Sequence, residues 1–172
     1  MKRKGNVMLV FIIQIMIFLL AFIGIVKLSA LRSPVDGIFY YPKPVQERAV
    51  QLSLTDKKTI RIRAIVFMSL FALALFILPL VFTGVWSRIT DFKTAYARIL
   101  TLLTASSWFD TIVIDYLWVG KSGFWKIRGA EDLPYRKTGR QLIGKFIRQP
   151  VVYALLSIPM AYAAVHIARG LG

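Results

Sequence analysis

The chain contains no cysteine and a single histidine, His166. Without thiols it forms no disulfide, thiolate metal site, cysteine nucleophile or lipoprotein anchor. With one imidazole, a single chain cannot build a multi-histidine metal site. The sequence also lacks a glycine-rich phosphate loop and a zinc-protease pattern. These absences leave any cofactor unknown and exclude the common signatures of soluble metalloenzymes and nucleotide-dependent enzymes.

Acidic residues are also scarce, with 8 Asp and Glu against 23 Lys and Arg and a formal net charge of +15. A basic balance sometimes indicates nucleic acid binding. Here the basic residues crowd the ends of apolar segments, where orientation and contact with lipid phosphate explain them. We therefore expect anionic lipids of a bilayer as partners, and no nucleic acid.

Apolar residues are abundant, because 57% of the chain is hydrophobic. Soluble domains are typically about 45–50% apolar, so the excess indicates a solvent other than water. A membrane helix needs roughly 17–25 mostly apolar residues. Four segments meet this length, at about residues 7–26, 64–82, 99–119 and 151–171.

The predicted fold is an all-α integral membrane protein with a four-helix transmembrane bundle. We expect one polytopic domain over residues 1–172, with long loops at 27–63 and 120–150 and short interfacial helices in both loops. The basic N-terminus resembles a signal peptide, but an apolar core of about 20 residues favours a retained helix.

The distribution of Lys and Arg predicts the topology. Residues 32–63 and 121–149 carry fifteen of these residues, and the opposite side carries seven. The positive-inside rule then places both long loops in the cytoplasm and both termini outside, most simply in the plasma membrane. The basic N-terminal tripeptide favours the opposite orientation.

Each long loop contains a candidate interfacial helix. In the first loop, Pro44 suits the first turn of a helix that runs to Val50. In the second, the apolar residues of segment 140–148 share one helical face and its basic residues the other, as in a helix that lies in the interface. Candidates for lipid-headgroup contact are Arg140, Lys145, Arg148, His166 and Arg169.

Asp110 is the strongest pointer to a functional site, because it lies near the middle of the third apolar segment. A carboxylate at that depth costs at least ~2.5–3.5 kcal/mol and normally faces protein or water. Its expected neighbours are Ser106, Ser107 and Gln14. We expect either a carboxyl that fastens helices 1 and 3 together or a proton-carrying or substrate-binding group.

Asp115 is expected on a different face, since five residues at 100° each place it about 140° away from Asp110. The two carboxylates are therefore not expected to share a ligand. Near the cytoplasmic boundary, Asp115 is expected to pair with Lys27, Arg63 or Lys121. A weaker alternative is a divalent metal site formed with two loop acids, Glu131 and Asp132.

Three classes of function follow. The first is a non-catalytic subunit or assembly component of a membrane complex, with a membrane protein partner or a second copy of the chain. The second is a small proton-coupled transporter that uses Asp110. The third is an enzyme that acts on a lipid at the cytoplasmic interface with Asp115, Glu131 and Asp132.

Overall fold

The computed structural model describes the backbone of residues 2–171 and the side chains of residues 6–171. The protein is 79% helical, and the described residues include no strand. The helices are α1 (Lys2–Ser29), α2 (Lys43–Gln51), α3 (Lys57–Leu80), α4 (Phe92–Phe109) and α5 (Gly139–Gly170). π-Helical segments, Val81–Trp86 and Asp110–Val119, continue α3 and α4, and short 3-10 turns lie at Ile38–Tyr40 and Gly123–Trp125.

Four helices are long and apolar enough to cross a membrane, which confirms the predicted number. They span Asn6–Ser29, Lys57–Trp86, Phe92–Val119 and Gly139–Gly170. Each extends beyond its predicted apolar segment, because polar flanking residues continue or cap the helix. Membrane embedding is therefore indicated by length and composition.

Aspartates cap two of these helices at their first residues. Asp56 accepts a hydrogen bond from the backbone N–H of Thr59 at 2.9 Å, and Asp91 accepts one from that of Thr94 at 2.8 Å. The threonine hydroxyls bond the same carboxylates, and these hydrogen bonds lower the pKa of both aspartates. The aspartates thus fix where α3 and α4 begin.

The first loop contains the predicted short helix. α2 begins at Lys43 with Pro44 in its first turn, and it ends at Gln51. Proline is tolerated there because the first backbone N–H groups have no partner within the helix. Its location at a membrane interface stays a prediction.

The second loop differs from the prediction. Residues 140–148 do not form a separate helix, because α5 runs without a break from Gly139 to Gly170 and includes Pro150. A capping box between Thr138 and Gln141 starts this helix. The basic segment is therefore the first part of the fourth long helix and packs along α4.

Small residues let α5 approach its neighbours closely. Ser157, Ala161, Ala164 and Ala168 are all buried, and their spacing of three and four residues places them on one helical face that suits close packing. Gly84 lies against this face, where a Cβ atom would be 2.7 Å from the carbonyl oxygen of Ala164.

The segment formed by α4 and Asp110–Val119 is the central helix of the bundle, because it is the most buried of the four long helices and contacts α1, α3 and α5. Two hydrophobic clusters lie along it. One includes Ile99 and Leu102, and the other includes Ile114 together with Trp125. The polar residues around Asp110 lie between these clusters, so the fold places a polar layer midway along its central helix.

Candidate binding site

The backbone of Asp110–Val119 decides how the two aspartates are arranged. This segment is π-helical, so each N–H bonds the carbonyl five residues back, and residues five apart lie nearly one turn apart on one face. Asp110 and Asp115 therefore face the same side. The expectation that they lie about 140° apart is wrong, because it assumed α-helical periodicity throughout.

Lys145 lies between the two carboxylates and bonds both. Its ammonium group donates to Asp110 and, at 2.6 Å, to Asp115. Lys137 donates to the same oxygen of Asp115 at 2.5 Å. The side chain of Lys145 is 16% exposed and that of Asp115 is 13% exposed. Two lysines of α5 and its preceding loop thus neutralise two aspartates of the central helix.

The predicted neighbours of Asp110 have other partners. Ser106 donates to the carbonyl of Leu103, and Ser107 donates to the side chain of Gln149. Gln14 is 1% exposed, and its amide donates to the carbonyl of Phe82 and the hydroxyl of Ser87. Asp110 therefore fastens the central helix to α5 rather than to α1, where Gln14 lies.

None of the three basic residues predicted to pair with Asp115 does so. Arg63 forms an ion pair with Asp36 at 2.5 Å. Lys121 lies over the ring of Tyr116, with its ammonium 4.9 Å from the ring centroid. Lys27 is exposed and forms no ion pair among the described residues.

The predicted acidic metal cluster is not assembled. The carboxylate of Glu131 accepts a hydrogen bond from the backbone N–H of Gly129 at 2.7 Å. Asp132 pairs with Arg48 at 3.4 Å, while Asp115 binds lysines. Within residues 6–171, no three His, Cys, Asp or Glu side chains are grouped so that they could hold a metal ion.

A cavity of about 920 Å³ opens beside the two aspartates. One part of its wall is apolar and comes from α1, α3 and the central helix. The rest is polar and comes mainly from α5 and the segment before it. The apolar lining is Phe22, Val26, Met68, Phe71, Ile114 and Val119, and the charged lining is Asp110, Asp115, Arg136, Lys137, Lys145 and Arg148.

Aromatic residues of the two loops also line the cavity. Trp125 is 2% exposed, and the hydroxyl of Tyr41 donates to its carbonyl at 2.7 Å. The indole N–H of Trp125 and the hydroxyl of Tyr40 have no hydrogen-bond partner among the described residues. Burial raises the pKa of Tyr40 to about 12 and also raises the pKa of Tyr41.

The charged lining has a surplus of positive charge. Lys137 and Lys145 balance the two aspartates. Arg136 and Arg148 line the same cavity, and neither has a carboxylate partner among residues 6–171. Arg136 donates one hydrogen bond to the hydroxyl of Tyr135, which leaves most of its donors available.

The candidates for lipid-headgroup contact divide into two groups. Lys145 pairs with the two aspartates inside the cavity lining, and headgroup contact by it stays a prediction. Arg140, Arg148 and His166 are exposed, and Arg169 is exposed with a 3.3 Å hydrogen bond to the carbonyl of Thr90. Headgroup contact by these four stays a prediction.

Sequence reasoning did not single out Arg136, Lys137, Gln149 or Trp125 as site residues. One pattern contains part of the information: Ser107 pairs with Gln149, Asp110 with Lys145, and Asp115 with Lys137. Residue numbers rise along one helix as they fall along the other. This antiparallel register follows once the fourth helix is extended toward Gly139.

Comparison of the chain with protein-family models, with curated proteins and with solved structures finds no match. Inference about its function therefore depends on the geometry of the cavity and on the distribution of apolar surface.

Proposed function

We propose that the four long helices cross the plasma membrane and that both long loops lie in the cytoplasm. Large apolar side chains are exposed along these helices, such as Ile12 on α1, Leu73 on α3 and Leu155 on α5. Exposed apolar surface of this extent supports a location in the hydrocarbon of a bilayer. The excess of Lys and Arg in the long loops supports the orientation, and α2 would then lie near the cytoplasmic interface.

Within this membrane protein, we propose that the cavity binds an amphiphile with an anionic headgroup. The observation that carries the proposal is the division of the cavity lining. Phe22, Met68 and Phe71 form an apolar wall, while Arg136 and Arg148 add a positive surplus to the opposite part. A ligand with an apolar chain and an anionic head satisfies both parts, and neither an ion nor a hydrocarbon alone does so.

Gly144 offers a direct way to block the cavity. It lies in the cavity lining, and a Cβ atom there would meet no atom within 4 Å. Gly139 is also on α5 with open space at its Cβ position, but it does not line the cavity. The two glycines therefore form a matched pair for substitution by a large side chain.

The test measures binding of a fluorescent single-chain alkyl phosphate to the purified protein in detergent. Gly144→Trp is expected to weaken binding about tenfold or more, and Gly139→Trp is expected to leave it unchanged. Equal binding by both variants and the wild type would contradict a ligand in this cavity.

A second candidate function is a proton-coupled carrier that uses Asp110. The observation that favours it is the irregular backbone at the site: a π-helical segment holds both aspartates, and Pro150 follows five residues after Lys145. Irregular helices at mid-depth are typical of carrier sites. Asp110→Asn keeps the shape of the side chain but removes its titratable proton. Unchanged proton uptake into proteoliposomes that contain this variant would therefore rule out this function.

That the protein is a non-catalytic subunit of a membrane complex stays a proposal. Copurification of a partner protein in mild detergent would test it. The lipid-modifying enzyme gains no support, because Asp115, Glu131 and Asp132 bind separate partners.

A further inference from the structure

The charged residues of the cavity indicate how many negative charges the headgroup carries, and not only that it is anionic. The surplus is carried by two guanidinium groups, those of Arg136 and Arg148, because the two lysines are matched by Asp110 and Asp115. A headgroup that neutralises this lining carries two negative charges.

Guanidinium groups also select the geometry of the headgroup. Their planar set of N–H donors matches the paired oxygens of phosphate, and two such groups can engage different oxygens of one phosphate. A terminal phosphate has three free oxygens to accept these bonds, whereas a phosphodiester has two.

We propose that the headgroup is a phosphate monoester on a lipid-like chain, held by Arg136 and Arg148. This inference rests on the proposed function, since it assumes that the cavity binds an amphiphile. It adds that the site prefers a dianionic phosphate to a monoanionic phosphodiester with the same chains.

The apolar wall of the cavity favours a lipid over inorganic phosphate as the ligand. Val26, Met68 and Phe71 give inorganic phosphate nothing to contact, whereas they cover part of an attached chain. Burial of apolar surface stabilises a complex in proportion to the area buried, so the acyl chain provides a substantial share of the binding free energy.

The test uses the full chain in nanodiscs of neutral lipid with one added component. Phosphatidic acid, phosphatidylglycerol and phosphatidylcholine with identical acyl chains provide a dianionic, a monoanionic and a zwitterionic headgroup. Each is titrated against a bound fluorescent alkyl phosphate, and inorganic phosphate is titrated in a separate arm.

We expect phosphatidic acid to displace the probe at about tenfold lower concentration than phosphatidylglycerol. The preference should decrease below about pH 6, where a phosphate monoester loses its second charge. The double variant Arg136→Gln with Arg148→Gln should lose the preference. The double variant Arg128→Gln with Arg140→Gln should keep it, because those two exposed arginines lie outside the cavity lining.

Each other outcome overturns a specific statement. Equal displacement by phosphatidic acid and phosphatidylglycerol overturns the preference for a monoester and leaves amphiphile binding intact. Displacement by inorganic phosphate at the concentration that phosphatidic acid needs overturns a lipid-like ligand. Failure of every component to displace the probe, or of the probe to bind, overturns the proposed function itself. Loss of the preference in both double variants assigns it to net charge and overturns the roles of Arg136 and Arg148.

Discussion

Asp110 and Asp115 meet at one ammonium group, that of Lys145, although five residues separate them along the chain. The π-helical backbone brings them together, and the antiparallel packing of α5 supplies the lysine. Because all three side chains line the cavity, the same contacts that join two helices also neutralise part of the proposed binding site.

Loss of Lys145 is expected to destabilise the protein strongly. Lys145→Met leaves the carboxylate of Asp110 without a cation and leaves Asp115 with Lys137 alone. Removing one partner of a buried ion pair costs up to about 3–5 kcal/mol. The measurement is thermal unfolding of the purified protein in detergent.

The control for this prediction is a triple variant that also removes both carboxylate charges that Lys145 neutralises. The triple variant with Asp110→Asn and Asp115→Asn should recover most of the lost stability, because no unpaired carboxylate remains. A triple variant as unstable as Lys145→Met would show that the lysine acts through packing alone.

Gly84 is expected to tolerate no side chain. Gly84→Ala places a methyl group 2.7 Å from the carbonyl oxygen of Ala164, so the helices must separate. Overpacking of this kind costs about 1–3 kcal/mol. Gly24→Ala on α1 is the matched control, since a Cβ there meets nothing within 4 Å and alanine favours a helix. Equal unfolding temperatures for the two variants would contradict the close approach of α3 and α5.

The buried tyrosines predict a loss of stability at high pH. The pKa of Tyr40 is raised to about 12 from an ordinary value of 10, and that of Tyr41 is raised as well. A raised pKa favours the neutral phenol in the folded state, so this contribution is complete below pH 10 and is lost as pH rises toward 12. Tyrosinate absorbance measured beside unfolding should show these two residues titrating last.

Phenylalanine variants separate the two tyrosines at neutral pH. Tyr41→Phe removes a buried hydrogen bond to the carbonyl of Trp125 and should cost about 1 kcal/mol. Tyr40→Phe removes a hydroxyl without a described partner and should cost less. The reverse order would mean that Tyr40 has an acceptor in the folded protein.

The absence of cysteine makes the orientation easy to test. Single substitutions Glu47→Cys and Arg128→Cys place a thiol in each long loop, and Arg88→Cys places one between α3 and α4. In intact cells, a membrane-impermeant maleimide should label only the Arg88→Cys variant. Labelling of the two loop variants alone would show the opposite orientation.

The apolar pattern predicted the number and order of the long helices, because hydrophobic length is a local property of the sequence. The N-caps Asp56 and Asp91 are local features of the same kind, since an N-cap depends on the next three residues. The start of α5 was not, because Pro150 is typical of a helix boundary and only packing against α4 shows that the helix continues through it.

The partners of the aspartates could not be predicted, for a related reason. The assumption of α-helical periodicity places Asp110 and Asp115 on different faces of the helix. No local sequence pattern indicates the π-helical segment. Lys145 is not among the expected partners of the aspartates, because its helix is predicted to lie in the interface. Both errors come from tertiary structure that local patterns do not encode.

The most direct test of amphiphile binding is protection of a thiol in the cavity lining. Gly144→Cys introduces one at a position with open space at Cβ, and Gly139→Cys introduces a control on the same helix outside the lining. The rate of modification by a water-soluble maleimide is measured with and without a single-chain alkyl phosphate. We expect the ligand to slow modification of the Gly144→Cys variant about tenfold and to leave the Gly139→Cys variant unaffected. Equal rates with and without the ligand in the Gly144→Cys variant would contradict the proposed binding site.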